Sequence, residues 1–150
     1  MISLLNGFRK ALISNPLLYI IAGVLTAIAV ARTYVLAGGT VDLYYAGILV
    51  HHFFIGIILV VVVGIATFVL YDEQLRNKAV KHTLAFLFGF GTGLIVDESN
   101  FFISAGQAYS LAQYYDVYNL LFESIIIIVL LALLFGNMYI RYLEGARKKK

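Results

Sequence analysis

Two pairs of adjacent residues could carry chemistry in a chain that is otherwise strongly apolar. His51 and His52 lie in one long hydrophobic stretch, and Asp97 and Glu98 lie in another. Imidazole and carboxylate groups are ligands that zinc, manganese and iron take in proteins. If the fold brings the two pairs together, the sequence predicts a site for a divalent metal (Zn, Mn or Fe).

Helical geometry limits how each pair can point. Successive residues on an α-helix project about 100° apart. His52 shares a helix face with two later glycines, and Asp97 lies four residues beyond another glycine. We therefore expect His52 and Asp97 to face the interior of a helix bundle. Their neighbours His51 and Glu98 are expected to lie behind them or to face another helix.

The composition identifies the class of protein. Hydrophobic residues make up 62% of the chain and charged residues 13%, and the mean hydropathy is +0.93. A soluble domain is about half apolar and a quarter charged, so the sequence indicates an integral membrane protein. The absence of cysteine excludes disulfides, thiolate metal sites and cysteine nucleophiles. The basic residues lie where the ends of membrane spans would place them, so we expect no nucleic-acid partner.

The hydrophobic segments predict an all-α fold, namely a polytopic membrane protein with a bundle of four transmembrane helices. The whole chain, residues 1–150, forms a single membrane domain in this interpretation. A short amphipathic helix over about residues 1–13 lies on the membrane surface, and Asn15 with Pro16 starts the first span. The four spans are predicted at residues 16–36, 44–71, 80–103 and 117–139, and a basic tail follows at 141–150.

Small residues recur at helical spacing in three of the predicted spans. Such stripes allow the backbones of membrane helices to approach closely. They predict contacts within one chain or between two copies in a homo-oligomer. The stripes consist of Gly23, Ala27 and Ala31, then Gly56 and Gly64, then Gly89 and Gly93.

The distribution of charge predicts the orientation of the chain in the membrane. Four spans place both termini on the same side, and every Lys and Arg except Arg32 falls on that side. Basic residues are enriched on the cytoplasmic side of membrane proteins. We therefore predict a multi-pass protein of the cell membrane with both termini in the cytoplasm.

The same topology predicts that the ionisable side chains of the spans share one layer. The depth of each group follows from counting along its span from the cytoplasmic end, at a rise of about 1.5 Å per residue. The resulting depths are all about 24–29 Å. They belong to Arg32, His52, Asp97 and Glu123, one from each span. We expect these groups to converge near the outer face of the membrane.

Three interpretations of this layer are compatible with the sequence. The first is a specific ion or substrate site. The second is a structural polar network in which Arg32 neutralises Asp97 or Glu98 and the histidines donate hydrogen bonds. The third is a set of solvated helix ends, with Arg32 extending to the headgroups and water.

Three segments resemble a family of small four-span membrane proteins of bacteria and archaea. They are HHFFIG (51–56), GFGTGLIVDESNFF (89–102) and YYDVYN (114–119). The family has a His-rich segment before a glycine and, one helix later, a Gly-rich run ending in Asp-Glu. The resemblance covers roughly residues 44–123 and implies no particular activity. It implies a family-wide site formed by His51, His52, Asp97, Glu98 and Asp116.

Three functions follow as alternatives. The first is a metal-dependent enzyme acting on a lipid or an outer-leaflet substrate, in which Glu98 or Glu123 serves as the base. Its metal ligands would be His51, His52 and Asp97. The second is an accessory or assembly subunit of a larger membrane complex, with a structural polar layer. The third is an ion or proton pathway, which the lack of ionisable groups in the inner two-thirds of the spans makes weaker. Whether the protein is an enzyme is left open.

Overall fold

The computed structural model describes residues 9, 11–37, 43–45, 48–50, 52–70, 74, 76–98 and 117–147. Four long helices contain most of these residues, and each is long and apolar enough to cross a membrane. They are α1 (Pro16–Leu36), α2 (His52–Val69), α3 (Lys78–Asp97) and α4 (Val117–Arg147). The predicted all-α architecture of four membrane-spanning helices is therefore confirmed.

The second helix begins later than the sequence predicts. The predicted span starts at residue 44, whereas α2 starts at His52. Two short antiparallel strands, β1 (Leu43–Tyr45) and β2 (Ile48–Val50), precede it, with Tyr44 paired to Leu49. Tyrosine, isoleucine and valine favour strands, and a two-residue connection is the commonest hairpin length. Because these residues favour strands, the two short strands replace the first two helical turns of the predicted span.

Three other predicted boundaries also differ or lie partly outside the described residues. The helix α3 ends at Asp97 rather than at residue 103, and residues 99–103 lie outside the described part of the chain. The helix α4 continues into the predicted basic tail as far as Arg147, because that segment is rich in the helix formers Arg, Leu, Glu and Ala. Of the predicted surface helix, Arg9 and residues 11–13 are helical, and the rest lies outside the described residues.

Helix α3 lies between α1 and α2, and glycines bring the backbones together. A Cβ atom added at Gly89 would collide with the carbonyl oxygen of Ile20, and one at Gly93 would lie 2.6 Å from the carbonyl oxygen of Val24. On α1, a Cβ at Gly23 would collide with the carbonyl oxygen of Phe86. The stripe of small residues on α1 and the Gly89/Gly93 pair therefore pack against each other within one chain.

The opposite side of α3 packs against α2. A Cβ at Gly56 would lie 2.7 Å from the carbonyl oxygen of Gly91. Residues two apart on a helix point about 200° apart, so Gly91 faces α2 while Gly89 faces α1. Gly64 differs, since a Cβ there would meet no atom of the described chain within 4 Å.

Helix α4 is attached to the bundle by polar contacts near both ends of α1. Near one end, Asn15 Nδ2 donates to Asn137 Oδ1 at 3.1 Å, and at the other end Arg32 pairs with Glu123. Between these contacts Leu134 is buried. Most other apolar side chains of α4 face outward, as expected for a helix in contact with lipid.

We predict that Asn15→Ala lowers the free energy of unfolding by about 2–3 kcal/mol. Asn15 is buried, its Oδ1 accepts a hydrogen bond from the N–H of Leu17 at 3.1 Å, and its Nδ2 binds Asn137. The substitution therefore removes a helix cap and an interhelical hydrogen bond together. The measurement is unfolding by sodium dodecyl sulfate in bicelles, followed by circular dichroism.

Asn77→Ala is the matched control for this prediction. Asn77 caps α3 through a 2.9 Å hydrogen bond from the N–H of Ala79, but it is exposed. Its loss should cost about 1 kcal/mol, which is the typical value for a cap alone. Equal destabilisation by the two substitutions would show that the Asn15–Asn137 bond contributes nothing.

Candidate polar site at one end of the bundle

Each of the four helices contributes to one cluster of charged side chains. Arg32 lies near the end of α1, His52 begins α2, and Glu123 lies in the second turn of α4. Asp97 ends α3, and Glu98 is its C-cap residue. These five residues are called the polar layer below. The opposite end of the bundle, where α1 and α3 begin and α2 and α4 end, is called the basic end.

Arg32 joins three helices. Its Nε donates to Asp97 Oδ1 at 3.1 Å, and its Nη2 donates to Glu123 Oε1. The side chain of Asp97 is fully buried, and that of Glu123 is 8% exposed. A buried carboxylate is strongly unfavourable unless a cation or hydrogen-bond donors balance its charge. The guanidinium of Arg32 supplies both the positive charge and the hydrogen-bond donors to the carboxylates of α3 and α4.

His52 lies between the two acidic residues of the α3 terminus. Its Nε2 is 3.2 Å from Asp97 Oδ2, and its Nδ1 is 3.2 Å from Glu98 Oε1. His52 therefore connects the start of α2 to both acidic residues at the end of α3.

Both acidic residues at the end of α3 are buried, and the sequence predicts that Asp97 faces the interior while Glu98 lies behind it or faces another helix. Asp97 has 0% and Glu98 3% of its surface exposed. The prediction assumes a continuous helix, but Glu98 has φ −104° and ψ 24° and lies outside α3. The change of backbone direction at the cap allows both side chains to reach His52.

The polar layer has an excess of negative charge. It contains one guanidinium and three carboxylates, so the formal charge is −2 with a neutral His52 and −1 with a protonated ring. Charges interact more strongly in a medium of low dielectric constant than in water. The hydrogen bonds and ion pairs within the layer therefore act on charges that lie in surroundings of low polarity.

The predicted metal ligands are not arranged as a metal site in the described part of the chain. Within it, no group of three or more His, Asp or Glu side chains is placed to hold a metal ion. Arg32 occupies the space between Asp97 and Glu123, and both nitrogens of His52 face carboxylate oxygens. His51 and Asp116, which the sequence also assigns to the site, lie outside the described residues.

Two polar contacts at the basic end were not predicted as pairs. Asn15 contacts Asn137, and the ring of Tyr19 stacks on that of His82 with centroids 4.0 Å apart and planes 13° apart. The sequence identified Asn15 only as a helix cap. Asn137 is a single amide in a long apolar segment, and this isolation is the feature of the sequence that could have indicated a polar contact between helices.

The polar layer and the basic end are separated by apolar sequence. Residues 53–69, 83–96 and 124–140 of α2, α3 and α4 contain no Asp, Glu, Lys, Arg or His. A chain of ionisable side chains across the membrane is therefore absent from these segments, which weakens the proton-pathway alternative.

Comparison of the chain with known protein families, curated proteins and solved structures finds no match. The resemblance in the histidine and glycine segments therefore stays a prediction.

Proposed function

We propose that the protein is a small accessory or assembly subunit of a larger membrane complex, and that its polar layer fixes the packing of its four helices. The observation that supports this proposal is the mutual pairing of the charged side chains. Arg32 binds acidic groups of α3 and α4, and His52 joins α2 to α3. The charges bind each other across the helices instead of surrounding an open centre.

Such a network sets the rotation and the depth of each helix. Apolar side chains alone give little preference for one neighbouring helix over lipid, because lipid tails are as apolar as leucine. Moving a helix by one residue would leave a buried charge without its partner, which is strongly unfavourable. By fixing the rotation and depth of each helix, the polar layer is suited to keep the same outward side chains facing partner proteins.

The outward surfaces of α2 and α4 are the candidates for contact with partner subunits. Both helices expose large apolar side chains along their length, among them Ile58, Phe68, Ile128 and Phe135. Lipid alone could cover these side chains, so the decisive test is whether other proteins are bound to this protein in its native membrane.

The test is purification from the native membrane in a mild detergent, with quantitative mass spectrometry and elemental analysis of the same sample. We expect a membrane protein partner at fixed stoichiometry and no stoichiometric metal. Co-purification should be lost in a variant with Arg32→Gln and retained with Arg141→Gln, which changes an exposed arginine of α4. A protein that is monodisperse without partners and loaded with metal would overturn the proposal.

A metal-dependent enzyme acting on a lipid or outer-leaflet substrate is the second candidate, and the excess of carboxylates in the polar layer favours it. The layer contains three carboxylates and one guanidinium, and Glu98 contacts His52. In this candidate the ligands are His51, His52 and Asp97. The base that activates a metal-bound water is Glu98 or Glu123.

Elemental analysis separates the two candidates. The enzyme requires one equivalent of Zn, Mn or Fe that is lost in His52→Ala and in Asp97→Ala. His82→Ala is the matched control, since His82 stacks on Tyr19 at the basic end and should leave the metal in place. Metal content that is equal in all three variants would exclude this site.

We also propose that the protein resides in the cell membrane with both termini in the cytoplasm. Apart from Arg32, all Lys and Arg residues belong to the basic end or to the segments that adjoin it in sequence. Basic residues are enriched on the cytoplasmic side of membrane proteins, which supports this orientation. The chain has no cysteine, so single introduced cysteines report sidedness. An impermeant maleimide should label Gln107→Cys in intact cells and Lys148→Cys only after lysis. The reverse pattern would invert the topology.

A further inference from the structure

A cavity of about 440 Å³ opens at the basic end of the bundle, far from the polar layer. All three packed helices line it. They contribute Ile20 from α1, Gly64 and Phe68 from α2, and Leu84 and Phe88 from α3. The volume lies within the range of about 300–1,000 Å³ that is usual for small-molecule pockets. This cavity is called the basal groove below.

The packing of the helices accounts for the basal groove. Helices α1 and α2 both pack on α3 and make little contact with each other. On α2, Gly64 adds no side chain to fill the gap, and a Cβ there would meet no described atom within 4 Å. Gly56 instead packs tightly on α3 two turns earlier. The groove therefore begins where the close glycine contacts of α2 end.

The lining combines hydrocarbon with one positive charge. The hydroxyl of Thr67 donates to the carbonyl oxygen of Val63 at 2.8 Å, so it does not offer a free donor to a ligand. Lys81, in the first turn of α3, is the cation among the described lining residues. A lysine can extend its charged end from an apolar surface to the level of the lipid headgroups.

We propose that the basal groove binds an acyl chain of one anionic phospholipid, with the lipid phosphate on Lys81. Hydrocarbon gains little by leaving bulk lipid for an apolar groove, because both surroundings are equally apolar. The groove therefore sets the position of the acyl chain, and Lys81 provides the preference for an anionic headgroup. Basic residues next to a membrane attract anionic lipids in this way.

Two other basic residues near this end make a matched control possible. Lys78 and Arg76 are exposed and do not line the groove. They attract anionic lipid without holding one molecule in place. A specific site predicts that Lys81 matters and Lys78 does not, whereas general attraction predicts equal effects.

The first experiment is native mass spectrometry of the purified full chain with phosphatidylglycerol and phosphatidylcholine of identical acyl chains. We expect one retained phosphatidylglycerol and weaker retention of phosphatidylcholine. Lys81→Gln should weaken phosphatidylglycerol binding about fivefold, and Lys78→Gln should leave it within about twofold. Equal binding of the two lipids, or equal effects of the two substitutions, would overturn the proposal.

The second experiment fills the groove. Gly64→Leu places a side chain in open space, and leucine favours a helix more than glycine does, so the variant should fold. It should lose the retained lipid, while Gly136→Leu, at another glycine with no described atom within 4 Å of a Cβ, should keep it. Lipid binding that is unchanged in Gly64→Leu would overturn the proposal. So would a change of oligomeric state in this variant, which would identify a second copy of the chain as the occupant.

Discussion

Arg32→Gln is expected to lower the free energy of unfolding by about 3–5 kcal/mol, the usual effect of breaking a buried ion pair. The guanidinium serves two carboxylates on two other helices, and the Asp97 side chain is 0% exposed. Glutamine leaves both acids without a cation. Arg32→Lys should restore part of the loss, because a single ammonium group cannot hold both carboxylates in the planar geometry of arginine. Unfolding by sodium dodecyl sulfate in bicelles measures the effect.

Two further variants show whether the loss comes from unbalanced charge. Arg141→Gln removes an exposed arginine of α4 and should change stability by less than about 0.5 kcal/mol. Combining Arg32→Gln with Asp97→Asn and Glu123→Gln removes the guanidinium and the two carboxylates that it contacts. This should recover much of the loss, since the remaining buried carboxylate, Glu98, keeps its contact with His52. If Arg32→Gln alone unfolds like the unmodified protein, the ion pairs do not hold the helices together.

Gly89→Ala is expected to be the most damaging single-methyl change, with a loss of about 3 kcal/mol. Its Cβ would collide with the backbone carbonyl of Ile20. A flexible side chain could move aside, but a backbone atom moves only with its helix. Helices α1 and α3 would have to separate along the face on which Gly23 and Gly93 also pack. The same unfolding measurement detects the loss.

Gly136→Ala is the control for the methyl group itself. Nothing in the described chain lies within 4 Å of a Cβ at this position of α4. The substitution should raise stability by up to about 1 kcal/mol, because alanine is the better helix former. Equal stability of Gly89→Ala and the unmodified protein would mean that α1 and α3 do not approach as closely as the structure has them.

Much of the architecture follows from local sequence. Four apolar segments long enough to span a bilayer leave little choice but helices, because backbone polar groups in lipid must pair within the segment. Asn15 and Pro16 mark the start of α1, where the structure also begins it. The spacing of Gly89 and Gly93 predicted a contact face, and α1 packs on it. Each of these features is set by residues that lie within a few positions of each other in the sequence.

The depth of the polar layer also follows from the sequence. Because the rise per residue of a helix is constant, counting along four spans placed Arg32, His52, Asp97 and Glu123 at similar depths. The structure brings these residues into contact. Counting cannot say which residue binds which, because one residue of error rotates a side chain by about 100°.

The pairing within the layer was decided by tertiary structure. Packing of α1 and α2 on opposite faces of α3 rotates Arg32 toward Asp97 and places His52 beside the same carboxylate. The end of α3 at Asp97 turns Glu98 inward as well, which no helical period could predict. The sequence by itself therefore determined which groups lie at one depth. Their partners depend on the rotation of each helix, which only contacts between distant parts of the chain can set.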